Sequence, residues 1–121
     1  LSAAITPTAA DSILRIEVFG ECSITRVAGS PTERYAWFGI YNSTNTVLVK
    51  EEVRGNNLVA TSSVSGPTYH GIALVGFYTV NSTAARTFKL QHRSSVVTNV
   101  QSNIQGDRTG GVNIIITELA P

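Results

Sequence analysis

The side chains in this sequence that could do chemistry are few and poorly spaced for cooperation. The chain holds one cysteine, Cys22, and two histidines, His70 and His92. Nucleophilic catalysis needs a Ser or Cys beside a base that a third group orients. Cys22 instead stands in an alternating apolar row, no strand-to-helix elbow surrounds it, and no Gly-x-Ser-x-Gly occurs, so it reads as a small core thiol. His70 and His92 fall outside the His-x-His and His-x3-His spacings of zinc ligands. Glu51 and Glu52 are adjacent, so on a strand their carboxylates point to opposite faces and are poor candidates for a cooperating acid/base pair. Gly106-Asp107-Arg108-Thr109-Gly110-Gly111 has the glycines of a phosphate loop but lacks its Gly-Lys-Ser/Thr ending and following helix, and reads as a turn. Asn42-Ser43-Thr44 and Asn81-Ser82-Thr83 have the form of glycosylation sequons, though they also fit simple turns. No catalytic, metal-binding or cofactor-binding residue is assigned, no cofactor is implied, and the chain is not expected to be an enzyme.

The elements that must position these side chains read as strands. From Leu14 to Ile24 the even positions are Leu, Ile, Val, Gly, Cys and Ile, while Arg15, Glu17, Glu21 and Ser23 fill odd ones. That is a period of two, with Gly20 as the least costly place for a bend or bulge and Phe19 interrupting the polar outer row. Tyr35 to Tyr41 is a strand by β propensity and is apolar on both faces; Asn42-Ser43-Thr44-Asn45 turns it into Thr46 to Lys50. Gly55-Asn56-Asn57 is read as a further turn before a short strand at Leu58 to Thr61, and Ser62 to Thr68 as a loop. In Tyr69 to Val80, Ile72, Leu74, Tyr78 and Val80 share one face and Ala73, Val75 and Phe77 the other, so neither face is polar. After the turn Asn81 to Ala84, Phe88, Leu90 and His92 alternate with Lys89, Gln91 and Arg93; a short strand is expected at Val96 to Val100 and a final one at Gly110 to Leu119. No helical period appears. Seven to nine short strands with turns at intervals define an all-β antiparallel β-sandwich of the jelly-roll kind.

At 121 residues the chain is read as one domain, residues 1–121. Charged residues are 14% of the chain and the net charge is +1, so it lacks the basic field that attracts nucleic acid. No apolar run is long enough to span a bilayer as a helix, and membrane insertion is not expected. Low charge, 42% apolar residues and strands apolar on both faces point to a surface covered by other subunits. The lone cysteine cannot form an internal disulfide, so packing alone must hold the fold. The chain contains no Met and begins at Leu1, which suggests the C-terminal module of a longer polypeptide.

Four segments carry a family resemblance: Ile5-Thr6-Pro7-Thr8, Ser12-Ile13-Leu14-Arg15-Ile16, Thr87 to Arg93, and the closing Ile114-Ile115-Ile116-Thr117-Glu118-Leu119. Together they resemble the terminal module of phage fibre-like proteins, trimeric β-jelly rolls of the tumour-necrosis-factor/C1q type. The resemblance implies a homotrimeric virion structural protein on the particle surface, used for host attachment. Its partners would be a host-surface receptor or glycan, or neighbouring virion proteins. A capsid decoration or head-fibre protein of the same build is the alternative, and a carbohydrate-binding module a further one. Recognition is expected in the loops Ala28 to Arg34, Arg54 to Thr68 and Ser94 to Gly111, with Tyr69 beside His70 as the candidate stacking aromatic. Parity predicts that Leu14, Ile16, Val18, Phe38, Ile40, Leu74, Phe88, Leu90, Ile114 and Ile116 are buried, and that Arg15, Glu17 and Lys89 face outward.

Overall fold

Period-two alternation becomes eight strands in a computed structural model that describes residues 1–26, 33–46, 48–57, 66–94, 100–104 and 111–119. They are β1 (Ser2–Ile5), β2 (Ile13–Arg26), β3 (Glu33–Asn42), β4 (Leu48–Asn57), β5 (Gly66–Thr79), β6 (Arg86–Ser94), β7 (Val100–Ile104) and β8 (Asn113–Leu119). One sheet has the order β1-β6-β3-β4; in the other β2 lies between β5 and an edge shared by β7 and β8. Every described pairing is antiparallel. The chain passes from one sheet to the other at every connection except β3 to β4 and β7 to β8. The expected all-β antiparallel sandwich is therefore the fold.

The core lies between the two sheets and is set by parity. Leu14, Ile16, Val18 and Cys22 from β2, Ala36, Phe38 and Ile40 from β3, Ile72 and Leu74 from β5, Phe88 and Leu90 from β6, and Val80 beyond β5 form one buried cluster. Tyr78 meets Phe88 edge to face, with centroids 5.3 Å apart. Eight of the ten residues expected to be buried are so; Ile114 and Ile116, on the edge strand β8, are half-buried against the core. Arg15 is exposed and Glu17 and Lys89 are partly exposed.

Two glycines set the approach of neighbouring segments. β2 pairs with β8 through Phe19 and with β7 from Cys22 onward, so its partner changes at Gly20 and Glu21. There Gly111 and Val112 cross so closely that a Cβ on Gly20 would stand 2.5 Å from the Gly111 carbonyl oxygen, and Gly20 has φ +154°. The second is Gly76, on the inner face of β5. A bulge between Ile40 and Tyr41 leaves Val49 as the extra residue of β4, and the Val49 methyl occupies the place a Gly76 side chain would need.

Several boundaries differ from the sequence reading. Gly55-Asn56-Asn57 is not a turn: it continues β4, opposite Tyr35, Arg34 and Glu33. Gly66, Pro67 and Thr68 are not loop but the start of β5. Both are edge strands, where ladder bonds on one side suffice to override turn propensity and a missing proline N–H is tolerated. β7 starts at Val100, the end of the short strand expected there, and β8 starts at Asn113 rather than Gly110. The expected strand at Leu58 to Thr61 lies outside the described residues. β1, with little β propensity of its own, forms by pairing Ser2 to Ile5 with Lys89 to Arg86.

Candidate functional site

The two sheets differ most on the faces turned away from the core. On β3 the odd residues Trp37, Gly39 and Tyr41 point outward, because Phe38 and Ile40 fill the core. Register sets Arg93 beside Trp37, Gln91 beside Gly39 and Lys89 beside Tyr41 on one side, and Glu51 beside Gly39 on the other. Gly39 itself is buried although it faces outward, since its neighbours rise around it. Trp37, Tyr41, Glu51, Gln91 and Arg93 thus wall a shallow recess of ≈ 70 Å³ that opens to solvent over Gly39.

The polar groups of this recess are held in place. The Arg93 guanidinium sits 4.5 Å from the Trp37 ring centroid and reaches across the gap above Gly39 to Glu51 Oε1 at 3.5 Å. The Gln91 amide donates to Asn45 Oδ1 (2.9 Å), which leaves its own carbonyl oxygen to accept. The Lys89 ammonium donates to the Ser43 carbonyl (2.9 Å), tying β6 to the β3–β4 turn. Arg93 and Glu51, the charged pair lining the recess, offset each other, and Lys89 is drawn to the Ser43 carbonyl at its edge.

The outer face of the other sheet is different in kind. Ile13 and Phe19 on β2, Val75 and Phe77 on β5, and Ile115 and Leu119 on β8 are all exposed, Phe77 by 60%. Pairing brings Val75, Glu17 and Ile115 into one row and Phe77, Arg15 and Thr117 into the next. Arg15 donates to Glu17 Oε1 at 2.8 Å, so the charges within this apolar face are paired with each other.

Of the residues singled out for chemistry, Glu51 and His92 both line the recess, while the others are dispersed. Cys22 is fully buried in the core, where its reading as a core thiol put it. Glu51 faces outward and Glu52, opposite Phe38, inward, so the two carboxylates stand on opposite faces. His70 pairs with Cys22 on β2, while His92 stacks on Phe38 with centroids 6.0 Å apart. Loss of water contact there, and then the Leu1 amino group, hold the His92 pKa below its ordinary value. Among the described residues no three His, Cys, Asp or Glu gather as metal ligands would. Both sequon asparagines bond as turn residues: Asn42 Oδ1 accepts from the Thr46 N–H (3.0 Å) and the Thr44 hydroxyl (3.1 Å), and Asn81 Oδ1 accepts from Arg86 (2.8 Å).

Most of the three expected recognition loops lies outside the described residues; the described parts, Glu33 and Arg34, Arg54 to Asn57, Gly66 to Thr68, Ser94, and Val100 to Ile104, belong to strands, apart from Gly111. Tyr69 is exposed on the apolar face, away from any described recess. The aromatic recess was not anticipated from the sequence, although the signal is there: aromatic-Gly-aromatic at positions 37, 39 and 41, on the face opposite Phe38 and Ile40. The chain matches no protein-family model, no curated protein and no solved structure.

Proposed function

We propose that this chain is a non-enzymatic virion structural protein, a homotrimeric fibre or knob domain that attaches a particle to its host. The observation that supports it is the outer face of β5, β2 and β8. Soluble monomers rarely gather many large exposed apolar side chains on one face, since apolar patches beyond roughly a few hundred Å² mark association sites. Here six exposed apolar side chains, Ile13, Phe19, Val75, Phe77, Ile115 and Leu119, share one sheet face, with the Arg15–Glu17 pair between them on β2. The occupant we infer is another copy of the chain. Arg15 and Glu17 stand 2.8 Å apart on this face, so in a three-fold ring each copy can offer Glu17 to the Arg15 of one neighbour and Arg15 to the Glu17 of the other, whereas a partner of strong net charge gains nothing.

Assembly through this face leaves the recess on the opposite sheet turned outward in every subunit. Three linked sites hold a surface through individually weak contacts, with avidity gains of about 10²–10⁴. A capsid decoration or head-fibre protein would share the assembly and differ in what it holds. The test is competition: the purified domain should block adsorption of intact particles to host cells, and Phe77→Glu, which puts charge in the subunit contact, should block only at far higher concentration. A trimeric domain that fails to compete at any concentration contradicts the attachment reading and favours decoration.

A further inference from the structure

We infer that the recess walled by Trp37, Tyr41, Glu51, Gln91 and Arg93 is a binding site for one uncharged pyranose ring. The inference gives the attachment reading its ligand class and rests on that reading only for its biological setting.

The chemistry of the walls selects the ligand. A pyranose has an apolar C–H face and a rim of hydroxyls, so it needs an aromatic surface for the first and neutral or mutually offset polar groups for the second. Tyr41 supplies the aromatic surface, and Trp37, four residues away on the same strand and covered on one ring face by Arg93 at 4.5 Å, closes the other end. Between them Gly39 has no side chain, and a glycine inside a strand marks a place where a ligand can approach the backbone. The Gln91 carbonyl and the Glu51 carboxylate accept hydrogen bonds, and the Arg93 guanidinium donates them. Rigid aromatics and a few convergent polar groups are the composition of small-molecule sites.

Size and charge narrow the class. The recess is small, ≈ 70 Å³ against the ~300–1,000 Å³ of sites for drug-sized ligands, so it seats the edge of one ring, not a chain of them, and leaves the rest of the sugar in solvent. The Arg93 charge is answered by Glu51 at 3.5 Å, which disfavours phosphate and acidic sugars relative to neutral ones.

Trp37 is the sole tryptophan of the chain, so tryptophan emission excited beyond the tyrosine absorption reports this recess alone. The full chain is titrated with methyl glycosides of glucose, galactose, mannose and N-acetylglucosamine, and in parallel with inorganic phosphate and a proline-rich peptide. At least one glycoside should shift the Trp37 emission saturably, while phosphate and peptide should not. Tyr41→Ala should weaken that response about tenfold with the emission reporter kept. Gln91→Ala, which removes a partly exposed side chain from the surface, should weaken it as well, and serves if Tyr41→Ala does not fold. No saturable response to any glycoside, a saturable response to the peptide or phosphate alone, or unaltered glycoside binding in a folded variant overturns the inference. Light scattering on the same samples separates this outcome from that of the assembly: a trimer without glycoside binding refutes the ligand, and a monomer that binds glycoside refutes the assembly.

Discussion

The outer faces of the two sheets are built on the same alternation and end with opposite characters. On β6, β3 and β4 the outward positions are Trp37, Gly39, Tyr41, Lys89, Gln91, Arg93 and Glu51, amphipathic or charged groups that tie one another down around a recess. On β5, β2 and β8 they include Ile13, Phe19, Val75, Phe77, Ile115 and Leu119, with Arg15 and Glu17 paired to each other between them. The inward faces, by contrast, are interchangeable in character: each contributes Leu, Ile, Val or Phe to one core. The fold thus needs only one face of each sheet, and the other two are left to carry different tasks. A low overall charge fraction conceals this, because it averages a polar face with an apolar one.

The division between inner and outer faces is where the largest effect is expected. Ile16 is fully buried, so Ile16→Ala should cost about 2–5 kcal/mol in a denaturation experiment, from lost transfer energy and the cavity left behind. Ile115, one pairing step away but outward and 45% exposed, should change the stability of the subunit by no more than about 0.5 kcal/mol as Ile115→Ala while weakening assembly. Equal losses in the two variants would erase the distinction between the faces.

Glycines sharpen the comparison at a smaller scale. In Gly20→Ala the new methyl group meets the backbone of Gly111 and Val112, which cannot yield as a side chain would, and a loss of about 1–3 kcal/mol is expected. Gly71, on the same pair of strands, has nothing within 4 Å of a Cβ, and Gly71→Ala should be tolerated. Melting of the two variants side by side checks this.

A finer effect belongs to the edge of the apolar sheet. Glu118 on β8 lies beneath the β1–β2 connection and accepts from the Thr8 N–H (2.9 and 3.0 Å), the Thr8 hydroxyl (2.9 Å) and the Ala9 N–H (3.3 Å). The Ser12 hydroxyl, in a looser geometry than those bonds, and the Thr8 N–H are the main causes that hold the carboxyl well below the ordinary carboxylate range, at about 2. A folded value below the unfolded one means that the stabilisation is complete above about pH 4.5 and is lost as pH falls toward 2. Melting temperature should therefore fall across that interval, and Glu118→Gln should lower it at neutral pH and flatten that part of the acid limb.

What could be read from the sequence follows the same divide. The inner faces were legible because burial imposes parity: slipping β2 by one residue would carry Arg15 and Glu17 into the core in place of Leu14 and Ile16. The outer faces were only half legible. Val75 and Phe77 stood out as a second apolar face, but Trp37 and Tyr41 looked alike in kind, and nothing local says that Gln91, Arg93 and Glu51 come to stand beside them. That requires the pairing of β3 with both β4 and β6, which are far apart in the chain. For the same reason Gly55-Asn56-Asn57 read as a turn, since its strand conformation comes from pairing with Glu33 to Tyr35 rather than from its own residues.

The central claim is that the apolar outer face of β5, β2 and β8 is covered by other copies of the chain. Sedimentation equilibrium of the parent and of Phe77→Glu at low micromolar concentration tests it most directly. The account expects the parent at three times its 12.9 kDa chain mass and Phe77→Glu, folded, at 12.9 kDa. A parent chain sedimenting at 12.9 kDa, or a Phe77→Glu variant that remains trimeric, would contradict it.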